Sequence, residues 1–133
     1  AQAEDVVRSK PDGLDALVEA GGRNFSGGQR QRLTIARALA GRPDILILDD
    51  SASALDYATD ARLRSALRRH TKNTTVFLVS QRVAAVRSAD RILCLDDGRI
   101  VGIGTHDELF KACEVYREIC LSQLSEKEAA PGS

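Results

Sequence analysis

The sequence predicts an α/β fold with a mostly parallel sheet, because short apolar runs alternate along the chain with segments of helical periodicity. The runs at 45–48, 76–79 and 92–95 are continuously apolar, as is typical of strands buried on both faces of a parallel sheet. Helical spacing is found at 26–41 and 58–71. With 133 residues, of which 43% are apolar, the chain has the size and composition of one ordinary globular domain.

The first long helix is predicted from Ser26 to about Gly41. Ser26 is a favourable N-cap residue, and Gln29 three positions later completes the spacing of a capping box. Apolar residues then recur at helical spacing over 33–40. Residues 1–23 before this helix indicate a short helix followed by a turn and an irregular stretch.

The end of the chain contains a hairpin and further helices. The Asp97-Gly98 pair after the third apolar run predicts a hairpin with a two-residue turn. Thr105 and Glu108 repeat the capping-box spacing and open helices that continue to about Leu124. The polar residues 125–133 are predicted to form a flexible tail.

Composition excludes several classes of function. Nineteen basic and nineteen acidic residues cancel, which gives no electrostatic reason to expect nucleic acid or an anionic membrane as a partner. The longest apolar run is far shorter than the roughly 20 residues that span a bilayer, and no signal-peptide pattern is present. We therefore expect a soluble chain whose membrane association comes from something attached to it. The three cysteines have no metal-site spacing, and we expect them to be free thiols.

Residues 24–32, NFSGGQRQR, place two glycines and a serine hydroxyl at the start of the predicted helix. Unpaired N–H groups and the positive end of the helix dipole favour an anion there, and the glycines let a phosphate approach the backbone closely. The alternative is that Ser26 only caps the helix. The residues alone leave both interpretations open.

The same segment resembles the LSGGQ signature of the ATP-binding-cassette (ABC) ATPases. Further segments match that family in order: ILILD at 45–49 resembles Walker B, SALD at 53–56 resembles the D-loop, and 89–109 resembles the region that follows the switch. The resemblance spans roughly residues 8–124. It implies a partial P-loop NTPase (RecA-like) core with part of the ABC helical subdomain. Residues 1–43 would belong to the helical signature subdomain and residues 44–124 to the C-terminal part of the ATPase core, with 125–133 as the tail.

In this family two domains pair head to tail, and each ATP lies between the P-loop of one domain and the signature of the other. The resemblance implies ATP and Mg²⁺ as cofactors and Asp49 as the residue that supports Mg²⁺, a hard cation suited to carboxylate ligands. The implied ATP contacts are the signature and D-loop residues Ser26, Gly27, Gly28, Gln29, Ser53 and Asp56.

Two catalytic positions depart from the family pattern. Where the family has a glutamate as general base, this chain has Asp50, whose carboxylate is pulled back by about 1.5 Å. Misplacement of about 1 Å can lower a rate about 10²-fold. At the switch position the family has histidine, whereas Gln81 can donate a hydrogen bond but cannot carry a proton. The two changes predict a degenerate ATP site in a heterodimer whose partner carries glutamate and histidine. A homodimer with normal turnover is the alternative.

The sequence has no G-x-x-x-x-G-K-[ST] motif. In the family, the P-loop strand lies between the strands predicted at 76–79 and 92–95, so its absence would leave strand edges unpaired. The chain is therefore expected to be a fragment that is inactive alone and is either marginally stable or completed by another chain.

Residues 90–92 and 102–106 resemble exporters with fused membrane domains. The implied function is binding and hydrolysis of ATP with a partner domain to drive export across a membrane. The implied location is the cytoplasmic face of the plasma membrane, with tethering through transmembrane domains. The alternatives are an importer ATPase subunit, a soluble ABC ATPase acting on nucleic acid or ribosomes, and a non-catalytic interaction domain.

Overall fold

The computed structural model describes residues 2–50 and 55–129. It has a mixed α/β architecture, which confirms the predicted class. The helices and strands follow in the order α1 (Glu4–Arg8), α2 (Gly27–Ala40), β1 (Ile45–Asp49), α3 (Tyr57–His70), β2 (Thr75–Val79), α4 (Val83–Val86), β3 (Ile92–Asp96), β4 (Arg99–Gly104), α5 (His106–Ala112) and α6 (Glu114–Ala129). The chain divides into two compact units, Ala1–Val79 and Ser80–Ser133.

In the first unit, β1 and β2 pair in parallel, with Ile45 opposite Thr75 and Asp49 opposite Val79. This pairing confirms the predicted parallel sheet. The alternating pleat of β1 directs Leu46 and Leu48 into a core formed with α2 and α3. The buried residues of that core are Ile35, Leu46, Leu48, Leu55, Leu63 and Leu67.

The other face of β1 and β2 is exposed. Ile45 and Ile47 are 59% and 66% exposed, and Phe77 and Val79 on β2 are 55% and 54% exposed. The expectation that these strands are buried on both faces is therefore wrong for the chain as described. The apolar run of β1 is continuous, which suits a strand covered on both faces. In the described residues, however, α2 and α3 contribute core residues on one face only.

In the second unit, β3 and β4 form an antiparallel hairpin. Asp97 and Gly98 both have positive φ, +47° and +72°, as a type I′ turn requires, so the predicted two-residue turn is confirmed. The core of this unit consists of Ile92, Cys94, Leu109, Cys113, Tyr116 and Cys120. All three cysteines are free and buried, as expected.

Two features of the second unit were not predicted. The helix α4 is four residues long, too short to produce a periodic signal in the sequence. The last helix, α6, continues past Leu124 to Ala129, since Glu, Lys and Ala all favour helical backbone. The domain ranges given from the sequence stay predictions, as does the place of the family's P-loop strand between β2 and β3. Across residues 2–50 and 55–129, no helix combines the length and apolar character required to cross a bilayer.

Candidate functional site

The N-terminus of α2 is organised by a complete capping box. The Ser26 hydroxyl accepts a hydrogen bond from the backbone N–H of Gln29 (3.2 Å), and the Gln29 side-chain carbonyl accepts one from the N–H of Ser26 (3.0 Å). Both predicted bonds are present, so this part of the prediction is confirmed. The box fixes the angle at which the chain enters the helix.

The capping box leaves several hydrogen-bond donors of this helix end available. Gly27 and Gly28 occupy the first two helical positions, where backbone N–H groups have no partner within the helix. The Ser26 hydroxyl accepts in the box but retains its own proton, and the Gln29 amide nitrogen retains two. Capping and anion binding by these residues are therefore compatible, because they use different atoms.

The loop preceding α2 is fixed by Asn24. Its side-chain amide donates to the Leu17 carbonyl (2.8 Å), and its side-chain carbonyl accepts from the Glu19 N–H (3.1 Å). Lys10 donates to the Asn24 carbonyl (3.0 Å) and lies 4.4 Å from the centre of the Phe25 ring. Asn24 thus connects both sides of the irregular stretch, a role that could not be read from its position in the sequence.

Arg32, one turn beyond the capping box, joins α2 to α1. Its Nη1 lies 2.9 Å from both carboxylate oxygens of Asp5 and 2.9 Å from the Gln2 carbonyl oxygen. Chiefly because of the hydrogen bond to Arg32, the pKa of Asp5 lies below its usual value. The pair holds the short helix α1 beside the first turns of α2.

Asp49 and Asp50 lie at the C-terminal end of β1, the edge at which open parallel sheets place ligands. Asp50 has a left-handed backbone, with φ of +49°, a conformation that Asp and Asn tolerate better than most residues. Its N–H donates to the Val79 carbonyl (2.9 Å). The side-chain amide of Gln31 lies 3.4 Å from the Asp50 carbonyl oxygen. Gln31 therefore links α2 to the residue that follows β1.

Two clefts surround α2. The first, of about 600 Å³, is lined by α2 and by the end of β1, including Gly27, Gln31, Asp49 and Asp50. The second, of about 380 Å³, combines the start of α2 with the start of α3. Its lining includes Ser26, Gly27, Gly28, Gln29, Arg32 and Asp56. The structure thus places the four predicted signature residues beside Asp56 in the second cleft, whereas Gly27 is the one of the four that also lines the first cleft with Asp49 and Asp50.

Asp56 is the N-cap of α3. Its carboxylate accepts a hydrogen bond from the Thr59 N–H (2.7 Å), and this bond is the main reason that the pKa of Asp56 lies below its usual value. One carboxylate oxygen is therefore committed to capping. Ser53, the other predicted D-loop contact, lies outside the described residues.

Gln81 belongs to the second unit, two residues after β2 ends. The segment around it is held by side chains: the Ser80 hydroxyl accepts from the Arg82 N–H (3.0 Å), and the side chain of Gln123 bonds to the backbone of both Gln81 and Val83. Gln123 carries no motif, and sequence analysis did not identify it. The one signal in the sequence is that Gln123 follows the apolar Cys120 by three residues, a spacing that places both on the same face of α6.

The residues present suit ATP and Mg²⁺. The free N–H groups at the start of α2 match an anionic phosphate, and the exposed carboxylates of Asp49 and Asp50 match a hard cation. In residues 2–50 and 55–129, no group of three or more His, Cys, Asp or Glu side chains is arranged to hold a metal ion.

Comparison with known proteins identifies the class. The family model described as "ABC transporter" matches residues 2–53. An uncharacterised ABC transporter ATP-binding protein of Mycobacterium tuberculosis is 48% identical over 123 residues, which are 92% of this chain and 21% of the relative. An ABC multidrug transporter of Trichophyton interdigitale is 42% identical over 123 residues, covering 92% of this chain and 9% of the relative.

A solved structure of a bacterial Atm1-family ABC exporter with ATP bound is also similar, with a TM-score of 0.86 and 34% identity over 90% of this chain and 21% of the exporter. Over about nine-tenths of its length the chain is therefore similar to ABC transporters. More specifically, it corresponds to part of the ATP-binding domain, and it spans about a fifth or less of the length of the relatives that it matches.

Proposed function

We propose that this chain is part of the nucleotide-binding domain of an ABC exporter, in which it binds ATP together with a second nucleotide-binding domain and contributes to hydrolysis that drives export. The observation that carries the proposal is the start of α2, where the N–H groups of Gly27 and Gly28 and the Ser26 hydroxyl open beside Asp56. The similarity to an ATP-bound exporter supports ATP as the anion.

Each residue has a specific part in this proposal. Ser26, Gly27, Gly28 and Gln29 donate hydrogen bonds to phosphate oxygens of the ATP carried by the partner domain. Asp49 holds Mg²⁺, which neutralises phosphate charge when it is bound. Asp50 accepts the proton of the attacking water, and the Gln81 amide donates to the phosphate. Ser53 and Asp56 border the partner's site.

We further propose that hydrolysis at this chain's own site is weak. The shorter carboxylate of Asp50 and the uncharged amide of Gln81 both lower it, whereas the residues at the start of α2 retain the full donor set for the partner's site. This asymmetry supports a heterodimer with a partner half that carries the stronger residues. The lack of a G-x-x-x-x-G-K-[ST] motif in the sequence supports inactivity of the 133-residue chain alone.

The proposed location is the cytoplasmic face of the plasma membrane, where the chain would be attached through transmembrane domains. The relatives include a multidrug transporter and an exporter, which supports export over import. The balanced charge of the chain does not support the alternative of a soluble ATPase that acts on nucleic acid.

The experiment is ATP hydrolysis by the full-length transporter with its partner half, in a background in which the partner's catalytic carboxylate is neutralised. Introducing Asp50→Glu together with Gln81→His should raise the remaining activity about 10- to 100-fold. Asp44→Glu, the same chemical change at an exposed residue outside the site, is the matched control and should change nothing. An unchanged or lower rate in the double variant would show that Asp50 already works well and that the site is not degenerate, provided that the unfolding free energy equals that of wild type, because glutamate must adopt the left-handed backbone of residue 50.

A further inference from the structure

The segment that carries Gln81 is connected to the last helix through one side chain. The amide nitrogen of Gln123 donates to the Gln81 carbonyl oxygen, and the side-chain oxygen of Gln123 accepts from the Val83 N–H at 2.9 Å. One primary amide therefore satisfies a carbonyl and an N–H two residues apart. This arrangement reproduces the pairing that a neighbouring strand would provide, but with a single residue of α6.

Gln123 follows buried residues of α6. Cys120, one turn earlier on α6, is 4% exposed, and Tyr116 on the same helix is 3% exposed. Both belong to the core of the second unit, against which Val83 and Val86 of α4 also pack. The two ends of the connection, α6 and α4, therefore rest on the same core, and Gln123 joins them above it.

The remaining backbone of this segment is held locally. The Ser80 hydroxyl accepts from the Arg82 N–H at 3.0 Å, and α4 begins directly afterwards at Val83. Since the carbonyl of Gln81 and the N–H of Val83 are both held by Gln123, the backbone that carries the Gln81 side chain has little freedom to rotate. A side chain that must present an amide to a phosphate benefits from such a fixed backbone.

We propose that Gln123 is a positioning residue for the switch segment 80–83: it fixes the backbone of Gln81, so that the end of α6 controls how long nucleotide stays bound at this chain's own site. The proposal rests on the proposed function for the role of Gln81. The two hydrogen bonds from Gln123 to Gln81 and Val83, which we call the clamp, lie entirely within the second unit. Because hydrolysis at this site is weak, retention of nucleotide is the property that the clamp affects most directly.

Two variants separate the two bonds. Gln123→Met has a similar length and removes both bonds. Gln123→Glu keeps an acceptor for the Val83 N–H but presents an oxygen to the Gln81 carbonyl. Ser122→Ala, at the exposed neighbouring position of α6, is the matched control.

The test uses the full-length transporter with its partner half and has two readouts. Hydrogen–deuterium exchange of the Val83 N–H, followed over 80–86, should be about fivefold faster in Gln123→Met, because of the two lost bonds only the one to the Val83 N–H protects a backbone amide, and one bond has a net strength of about 1 kcal/mol. In Gln123→Glu, Val83 should keep much of its protection. Dissociation of a fluorescent ATP analogue (mant-ATP) from this chain's site should be about 3- to 10-fold faster in Gln123→Met and intermediate in Gln123→Glu.

Unchanged exchange over 80–86 in Gln123→Met would overturn the clamp. Faster exchange throughout the second unit would also overturn it, because that result indicates general loosening rather than a local connection. Faster local exchange with unchanged mant-ATP dissociation would overturn the control of nucleotide retention. A wild-type protein that binds no mant-ATP would contradict the proposed function, while the exchange measurement would still decide whether Gln123 holds the segment.

Discussion

Ser26 and Gln29 are joined by two reciprocal hydrogen bonds, in which each backbone N–H donates to the other residue's side-chain oxygen, at 3.0 and 3.2 Å. The pair uses the Gln29 carbonyl and a lone pair of the Ser26 hydroxyl, so the Gln29 amide protons and the Ser26 hydroxyl proton remain free to donate. One residue can therefore both cap the helix and bind phosphate. Mutations must be chosen so that the two roles are separated.

Ser26→Ala and Ser26→Asp should separate the two roles. Alanine removes the cap and should lower the free energy of unfolding by about 1 kcal/mol, whereas aspartate retains it. Aspartate places a negative charge where phosphate would bind, so it should reduce ATP hydrolysis by the full-length transporter at least about 10-fold. Urea unfolding of the 133-residue chain and the steady-state ATPase rate provide the two measurements. If the two variants have equal ATPase rates, the anion-binding role is wrong.

The ion pair between Asp5 and Arg32 should make stability depend on acid pH. The pKa of Asp5 is lowered mainly by the hydrogen bond from Arg32. A lowered carboxyl pKa in the folded state contributes stability above the unfolded value, near 3.8, and this contribution is lost as the pH falls through the lower folded pKa. Because the Asp5 side chain is 70% exposed, the contribution should stay below about 1 kcal/mol.

Asp5→Asn should remove this pH-dependent contribution. The difference in unfolding free energy between wild type and Asp5→Asn should be largest near neutral pH, shrink below pH 4, and decrease with added salt. Asp15→Asn, at another exposed aspartate of the first unit, is the control. A difference that is independent of both pH and salt would mean that Asp5 contributes by packing rather than by charge.

The second unit should lose stability in alkali. Burial, the largest cause, raises the pKa of Tyr116 to about 12, and it also raises the pKa values of Cys94 and Cys120. Because the folded state holds these protons more tightly than the unfolded chain does, stability is complete below the unfolded values of 9.0 and 10.0. It is then lost as the pH rises toward the folded values.

Tyr116→Phe should make the unfolding free energy fall less steeply with pH between about 10 and 12. Over that range the variant should lose about 2 to 3 kcal/mol less than wild type does. The variant also loses the contact between the Tyr116 hydroxyl and His106 Nδ1 (2.8 Å), so the slopes rather than the absolute values must be compared. Circular dichroism in urea at several pH values is the measurement, and Tyr57→Phe in the first unit is the control. Identical slopes in wild type and Tyr116→Phe would contradict the prediction.

Gly102 on β4 leaves no room for a side chain. A methyl group at this position would lie 2.9 Å from Leu109 Cδ2 and 3.0 Å from Cys113 Sγ. Gly102→Ala should therefore lower the unfolding free energy by about 1 to 3 kcal/mol, and adding Cys113→Ala should recover part of the loss. Ile103→Ala on the same strand, where the side chain is 56% exposed, provides the comparison. Equal effects of the two alanine substitutions in thermal unfolding would argue against crowding.

Much of the local structure could be predicted from residue spacing. The capping box of α2 and the Asp97-Gly98 turn are determined by residues close in sequence. The parallel pairing of β1 and β2 joins residues 30 positions apart, but it was predicted because apolar runs alternate with helices along the chain. The second capping box is only half formed. Thr105 accepts from the Glu108 N–H (3.3 Å), while the Glu108 carboxylate lies over Gly104, where the absence of a Cβ leaves space for it.

The contacts that sequence analysis missed join residues far apart along the chain. Asp5 and Arg32 are separated by 27 positions, and Gln81 and Gln123 by 42. Neither pair has a spacing that a local pattern could detect, and each depends on how helices pack. The exposed face of β1 was missed for a related reason: an apolar run shows that a strand is suited to burial, but not which surface covers it.

The left-handed backbone at Asp50 restricts what can replace this residue. With φ at +49°, asparagine and glycine fit the local geometry, whereas alanine and β-branched residues would strain it. Asp50→Asn therefore removes the charge and leaves the chain path intact, while Asp50→Ala would alter charge and conformation together. An alanine scan of this region would overstate the importance of the Asp50 carboxylate, because part of the measured loss would come from the backbone.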